Sequence, residues 1–220
     1  MKQLITFILA GLLLSTGTTA QSVSSKNKSN WYVTDAGDLA TVSFSNVSRN
    51  GNQLTNMPRL VMLYSSTLIN HDFSEDVGVF FGFSGRNLGL IYNDNDSVRF
   101  KRRVITLGVP AGFKFGNLEK GTYLFVGAEA DFAINYKEKR FLNGKKTDKS
   151  NTWFGKQTPL FMPSVFAGFV VHHLGLKAQY FPNNFFNPSY QSNNQQPFAG
   201  MEAQIFALSL CYDLPRGRKK

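Results

Sequence analysis

Residues 105–116 read Ile-Thr-Leu-Gly-Val-Pro-Ala-Gly-Phe-Lys-Phe-Gly, with an apolar side chain at every odd position and a glycine, proline or polar one at every even position. Successive side chains of a β-strand point to opposite faces, so this period of two predicts a strand with one wholly apolar face. Pro110 has no N–H for the ladder, and we expect a β-bulge there. Similar alternation elsewhere predicts eight strands in all. They cover residues 39–48, 60–68, 77–86, 105–116, 123–136, 161–171, 174–181 and 206–212.

The connections between these strands alternate in length. Residues 70–75, 117–121 and 172–174 form short connections, and residues 49–57, 88–97, 137–158 and 182–197 form longer ones. Outer-membrane barrels have this asymmetry, with short periplasmic turns and longer extracellular loops. The longest strands also reach the roughly 9–11 residues that a tilted membrane strand needs. The sequence therefore predicts an all-β fold, an eight-stranded antiparallel up-and-down transmembrane β-barrel in the cell outer membrane.

The N-terminus has the features of an export signal. Lys2 precedes an apolar run over residues 4–14, and small residues lead to Ala20, after which we expect cleavage. We then expect a polar lead-in over residues 21–38, the barrel over 39–214 and a basic tail over 215–220. Cys211 is the only cysteine, which excludes an intramolecular disulfide. Beyond the signal, no apolar stretch approaches the roughly 20 residues of a transmembrane helix, so a membrane-embedded mature chain must be a closed barrel.

The second face of each strand indicates what fills the barrel. It carries mostly glycine, serine, threonine and alanine with isolated charges, which suits the cramped lumen of eight strands better than a wet outer surface. A buried charge without a partner is costly. We therefore expect a charge network in the lumen formed by Arg86, Lys114, Glu129, Asp131 and Lys177.

The formal charge of +10 is what an anionic partner would require, and solvated loops that happen to be basic explain it equally well. Export argues against nucleic acid, and outer-membrane lipid is the expected partner, besides an extracellular or envelope protein and the insertion machinery during assembly. The residues expected to contact lipid phosphates are Lys101, Arg102, Arg103, Lys137, Lys139 and Arg140. A second candidate surface lies in the 182–197 loop, whose mixed aromatic and polar composition predicts binding through Phe185, Phe186 and Tyr190.

Catalytic and metal chemistry is not expected. His172 and His173 would point to opposite faces of a strand and could not chelate one metal together. Ser164 and His172 are the only pair to consider for a lipid hydrolase, and they lie about a strand length apart. We expect a non-enzymatic protein without cofactors, acting in envelope structure or surface binding. Two alternatives remain: a soluble exported lipocalin-like barrel that binds a small apolar ligand, and a lipid-modifying hydrolase of the outer membrane.

The chain resembles the small outer-membrane β-barrel proteins of Bacteroidetes-type bacteria, which include PorT-like members. The resemblance rests on the signal ending Thr-Thr-Ala-Gln and on Gly-Phe-Ser-Gly-Arg-Asn-Leu-Gly-Leu-Ile at 82–91, with Phe-Lys-Arg-Arg at 100–103, Leu-Gly-Val-Pro at 107–110, Phe-Lys-Phe-Gly-Asn at 113–117 and a strand closing at Tyr212. It implies a membrane-embedded barrel and brings no catalytic residue or cofactor. Such barrels often end on an aromatic residue that helps insertion, whereas residues 215–220 follow Tyr212 here.

Overall fold

The computed structural model describes residues 31–215, which form one antiparallel sheet of eleven strands. The expected export signal and residues 216–220 of the basic tail lie outside the described residues. The strands are β1 (Trp31–Arg49), β2 (Asn52–Gln53), β3 (Thr55–Met57), β4 (Arg59–Asp72), β5 (Val77–Asn93), β6 (Val98–Asn117), β7 (Thr122–Leu142), β8 (Lys145–Trp153), β9 (Phe161–Val171), β10 (Leu174–Phe181) and β11 (Met201–Pro215).

Eight of these strands close into a ring. Its order is β1, β4, β5, β6, β7, β9, β10 and β11, and β11 pairs back onto β1 from Thr34↔Pro215 to Arg49↔Met201. The predicted eight-stranded antiparallel barrel is therefore confirmed. The remaining strands, β2, β3 and β8, extend the wall at one end by pairing with β1, β5 and β7.

Several strands run further than the sequence pattern predicted. β1 begins at Trp31, so residues 31–38 belong to the barrel and not to a lead-in. A register shift between Asp38 and Ala40 breaks the alternation there and hides the continuation of the strand. β5 and β6 also extend, which reduces the expected 88–97 loop to residues 94–97, and β8 lies inside the expected 137–158 loop.

The bulge expected at Pro110 is absent, and this prediction is wrong. The β5–β6 register is the same on both sides of it, with Phe81↔Ala111 below and Ser84↔Gly108 above. The missing N–H is accommodated without an extra residue. β6 does meet a bulge, but on its other side, in its pairing with β7. There Ile105 pairs with Asn135 and Thr106 with Ala133, which leaves Ile134 as the extra residue.

The outer surface of the ring is an apolar belt. The most exposed of its large side chains include Phe83 (71% exposed), Met62 (67%) and Leu124 (61%), and further members lie on every barrel strand. At the same level the lumen holds charged and polar side chains such as Arg86 and Glu129. A contiguous apolar surface of this size is unfavourable in water and favourable in hydrocarbon. The belt is therefore the membrane-spanning surface, and the lipocalin-like alternative, which requires an apolar interior, is wrong.

No helix among residues 31–215 is long and apolar enough to cross a membrane.

Candidate functional site

The centre of the lumen is an ion-pair network around Arg86. Its guanidinium lies 2.6 Å from Glu129 and 3.1 Å from Asp38, and Lys177 lies 2.6 Å from Asp38 on the other side. All four side chains are at most 10% exposed. Of the five residues expected in one network, Arg86, Glu129 and Lys177 lie here together. Asp38, which was expected in the lead-in, is a central member.

Three further hydrogen bonds to carboxylates belong to this network. Glu129 accepts hydrogen bonds from the Ser84 hydroxyl and from Gln179 (3.0 Å). Asp131 accepts one from Thr106 (2.7 Å) and is fully buried. The two carboxylates converge over Gly108, where the position of an added Cβ would lie 2.4 Å from a Glu129 oxygen and 2.9 Å from an Asp131 oxygen. The glycine at 108 therefore leaves room for both carboxylates, and a side chain there would force them to move.

Lys114 belongs to a separate cluster nearer the short-turn end of the barrel. It donates to Tyr32 (2.6 Å) and Asn70 (3.0 Å) and lies 3.3 Å from Asp72. A cavity of about 70 Å³ lies between the two clusters, with Arg86, Lys114 and Lys177 among its lining residues. The lumen at this level is therefore occupied largely by paired side chains.

Arg102 does not face the membrane surface. It is 5% exposed, its guanidinium carbon lies between 4.5 and 5.3 Å from four aromatic ring centroids, and it pairs with Glu138 at 2.8 Å. The four rings belong to Tyr92, Phe100, Phe186 and Phe198. The expected phosphate contact at Arg102 is wrong, because its neighbours in the basic run point outward and the period of two turns Arg102 inward.

The aromatic residues of the 182–197 loop do not form an open binding surface. Phe185 and Phe186 are 1% and 0% exposed and belong to an apolar cluster with Leu90, Tyr92 and other buried side chains. Tyr190 is partly buried and stacks on Phe198, with ring centroids 5.7 Å apart. This prediction is wrong for Phe185 and Phe186, because the end of the barrel beyond the belt needs an apolar filling that the loop supplies.

The remaining basic residues form a distinct outward surface, which we call the basic face. On β6, Arg102 and Val104 are buried, so Arg99, Lys101 and Arg103 share the outer side with the lipid-facing Leu107. Cross-strand pairing then aligns Arg103 with Lys137 and Lys101 with Lys139 and Lys149. The basic face comprises Arg99, Lys101, Arg103, Lys137, Lys139, Lys146 and Lys149.

No carboxylate of β6, β7 or β8 shares this face. Glu138 pairs with Arg102 and Asp148 with Arg140 on the opposite side, and Glu129 and Asp131 face the lumen. Arg140 is therefore misplaced in the expected phosphate-contact set, whereas Lys101, Arg103, Lys137 and Lys139 lie together.

Crowding of positive charge on the basic face has an electrostatic consequence. Partial loss of water contact lowers the pKa of Lys137, and the nearby charges of Arg103, Lys149 and Lys139 lower it further. An anion placed among these groups would remove the repulsion.

The residues considered for catalysis do not assemble. Ser164 is buried in the lumen, where its hydroxyl accepts a hydrogen bond from Gln179 at 2.8 Å. His172 and His173 form the short turn between β9 and β10, both with positive φ, and His173 contacts the backbone oxygen of Asp213. Within residues 31–215 there is also no group of three or more His, Cys, Asp or Glu that could hold a metal ion.

Comparison with known proteins gives likeness in fold only. No family model matches the chain, and no curated protein matches it. Similar solved structures include Ail, the attachment invasion locus protein of Yersinia pestis, in complex with the heparin analogue sucrose octasulfate (13% identity, TM-score 0.37, 83% of this chain and 99% of that one). Neisserial surface protein A has 13% identity and a TM-score of 0.36 over 84% of this chain and 97% of its own. OprG from Pseudomonas aeruginosa has 12% identity and a TM-score of 0.32 over 86% of this chain and 94% of its own.

The closed ring and its belt settle the class of the molecule. Each of the eight ring strands pairs with a neighbour on both sides, so the spanning segment has no open sheet edge in hydrocarbon. The apolar side chains face outward and the charged ones face a filled lumen, which is the architecture of outer-membrane barrels. The chain is an all-β, eight-stranded membrane protein of the outer membrane.

Proposed function

We propose that this barrel is a non-enzymatic surface-binding protein whose basic face holds the phosphate groups of outer-leaflet lipid. The observation that carries the proposal is the segregation of charge. Seven cations share one outward surface, and every carboxylate of the same three strands faces the other way.

The height of the basic face supports a lipid partner over a soluble one. Ile105, Asn135 and Trp153 form one cross-strand row, and Arg103, Lys137 and Asn151 form the next row above it. The first cations therefore lie one row above the outer aromatic edge of the belt. This is the depth of lipid head groups, where each Lys or Arg contributes about 1 kcal/mol of attraction to an anionic surface.

The spacing of the basic face suits several phosphates at once. Neighbouring strands lie about 4.8 Å apart, and alternate residues along a strand about 6.8 Å apart. Two rows on three strands therefore present cations over an area of roughly 10 Å by 7 Å. A lipid that carries two phosphates could engage both rows, whereas a lipid with one phosphate could engage only one.

Titration of lipid A into the detergent-solubilised barrel, read by native mass spectrometry, tests the proposal. The Lys101→Gln/Lys139→Gln variant should bind diphosphorylated lipid A about 30-fold more weakly, since two charges contribute about 2 kcal/mol. The matched control is Arg140→Gln/Lys145→Gln, which removes the same charge from the opposite face of the adjoining β7–β8 hairpin. Equal losses in the two variants would show that net charge alone attracts the lipid and would refute a site on the basic face.

We also propose kinship with the PorT-like barrels of Bacteroidetes-type bacteria, supported by the sequence segments at 82–91 and 107–117. The absence of an assembled nucleophile and base among the described residues supports a non-enzymatic role. A protein partner on the same face is the second candidate, supported by the exposure of β8, and would appear as binding that does not depend on lipid phosphate.

A further inference from the structure

A second candidate site lies beside the basic face, where the end of β8 meets the β10–β11 loop. Here the turn at residues 154–157 and the loop segment at residues 187–191 enclose a cleft of about 440 Å³. The lining side chains combine exposed aromatic rings, amides and hydroxyls with one cation and no carboxylate. They are Thr152, Trp153, Phe154, Lys156, Gln157, Asn187, Ser189, Tyr190 and Gln191.

One wall of the cleft holds an aromatic ring at the cost of backbone strain. Phe154 has a φ of +50°, which a bulky side chain rarely adopts, and its side chain is 75% exposed. Packing within the protein therefore does not explain why this position carries phenylalanine where glycine or asparagine would be unstrained, and contact with lipid or with a ligand does. Strained backbone of this kind concentrates at ligand-contacting positions. Trp153, 48% exposed, precedes it and enlarges the apolar surface.

The opposite wall is hydrogen-bonded to the first. The Asn187 side chain donates to the backbone oxygen of Lys156 (2.9 Å), and its backbone N–H donates to that of Gln157 (3.0 Å). Tyr190 stacks on Phe198 and accepts a hydrogen bond from Gln157 at 3.3 Å. The Gln157 side-chain oxygen is buried without a hydrogen-bond partner among the described residues. The cleft is thus preformed and offers polar groups beside an aromatic platform, which limits the ordering cost of binding.

We infer that this cleft binds a pyranose sugar unit. The C–H faces of a sugar ring carry partial positive charge and pack against the negative face of an aromatic ring, while its hydroxyls exchange hydrogen bonds with amide and hydroxyl side chains. A hydrocarbon chain would leave the amides unpaired. Lys156 and the absence of a carboxylate admit neutral or anionic sugars. The sugar can come from a glycolipid head group, because Trp153 lies at the edge of the belt, or from a free oligosaccharide.

Fluorescence of a Trp31→Phe variant, in which Trp153 is the only tryptophan, tests the inference. The barrel is placed in nanodiscs of phosphatidylethanolamine and titrated with chitobiose, or with deacylated lipid A. A saturable change in indole emission with either probe is expected, and it should disappear on Phe154→Gly, which relieves the backbone strain while removing the ring. Phe83→Ala, which removes an equally exposed lipid-facing ring, should leave the response unchanged.

The outcomes separate the possible occupants. A saturable response to chitobiose would show that the cleft binds a free oligosaccharide. A saturable response to deacylated lipid A but not to chitobiose would show that it binds a glycolipid head group. The absence of a saturable response to both probes, or a response that survives Phe154→Gly, overturns the inference and leaves Phe154 as a membrane anchor. The site shares no residue with the basic face, so Lys101→Gln/Lys139→Gln should lose lipid A phosphate binding and keep the response to chitobiose.

Discussion

Removal of Arg86 should destabilise the barrel more than any single charge removal on its outside. In Arg86→Met, Asp38 keeps Lys177 at 2.6 Å, whereas Glu129 loses its one salt bridge among the described residues and keeps two neutral donors, Ser84 and Gln179. Breaking a buried ion pair costs about 3–5 kcal/mol because the remaining charge stays desolvated. In Arg86→Met/Glu129→Gln the Glu129 charge is removed together with its partner, and Asp131, which keeps its hydrogen bond from Thr106, is the buried carboxylate that loses the nearby Arg86. The cost should therefore fall by about 2 kcal/mol relative to the sum of the single losses.

Equilibrium unfolding by urea in lipid vesicles measures these differences, with folded protein quantified by its heat-modifiable mobility on gels. Arg103→Met on the basic face is the control and should stay within about 0.5 kcal/mol of the unmodified chain, as surface substitutions do. A loss below about 1 kcal/mol for Arg86→Met would refute the reasoning. So would a double variant whose loss equals the sum of the single losses, because contacting residues should couple by about 2 kcal/mol.

Three further predictions follow from the lumen and the rim. Arg102→Met should release the 182–200 segment, since it removes four ring contacts and the pair with Glu138, and faster hydrogen exchange confined to that segment would verify it. Gly108→Ala should lower the unfolding free energy by about 1–3 kcal/mol, because its Cβ would displace the Glu129 and Asp131 carboxylates from their hydrogen bonds, whereas Gly85→Ala, with nothing within 4 Å of its Cβ, should be neutral by the same urea assay. Lys137→Gln should gain a few tenths of a kcal/mol near neutral pH. Its lowered pKa in the folded state disfavours the protonated form, so the gain should vanish at high salt and above the usual lysine pKa; a gain that grows with pH would contradict it.

The belt was predictable from the sequence because hydrocarbon requires every outward side chain at its level to be apolar. Residues 105–116 alternate without interruption since every odd position meets lipid. The two strands predicted with correct ends, β9 and β10, also lie wholly within the belt. Where a strand leaves the membrane, the rule is lost: β5 continues beyond Arg86, but there its buried inward residues are Leu88, Leu90 and Tyr92. Beyond the belt the apolar side chains of β5 therefore face inward and the polar ones outward. This reversal interrupts the alternation of the sequence, which predicts a loop there.

The position of a candidate residue relative to the belt explains whether the sequence predicts its surroundings. Arg86, Glu129 and Lys177 lie at belt level, where an interrupting charge can only face the lumen. Phe185 and Phe186 lie in a loop that folds back over the barrel, and no local pattern distinguishes a buried loop aromatic from an exposed one. The signal that could have located Asp38 was the continued alternation of small and polar residues upstream of residue 39, which the β1 bulge interrupts.

One inserted residue determines whether the basic face exists. Below Ile134 the outward side chains of β7 occupy even positions, and above it the bulge shifts them to odd positions, which turns Lys137 and Lys139 outward. Without the bulge, Glu138 and Arg140 would face the lipid head groups and both lysines would face inward, because a slip of one residue exchanges the two faces of a strand. β6 has no such shift, so the cations of the two strands align only because the bulge occurs in β7 alone. A count of basic residues in the sequence cannot distinguish these two arrangements, and the position of the bulge can.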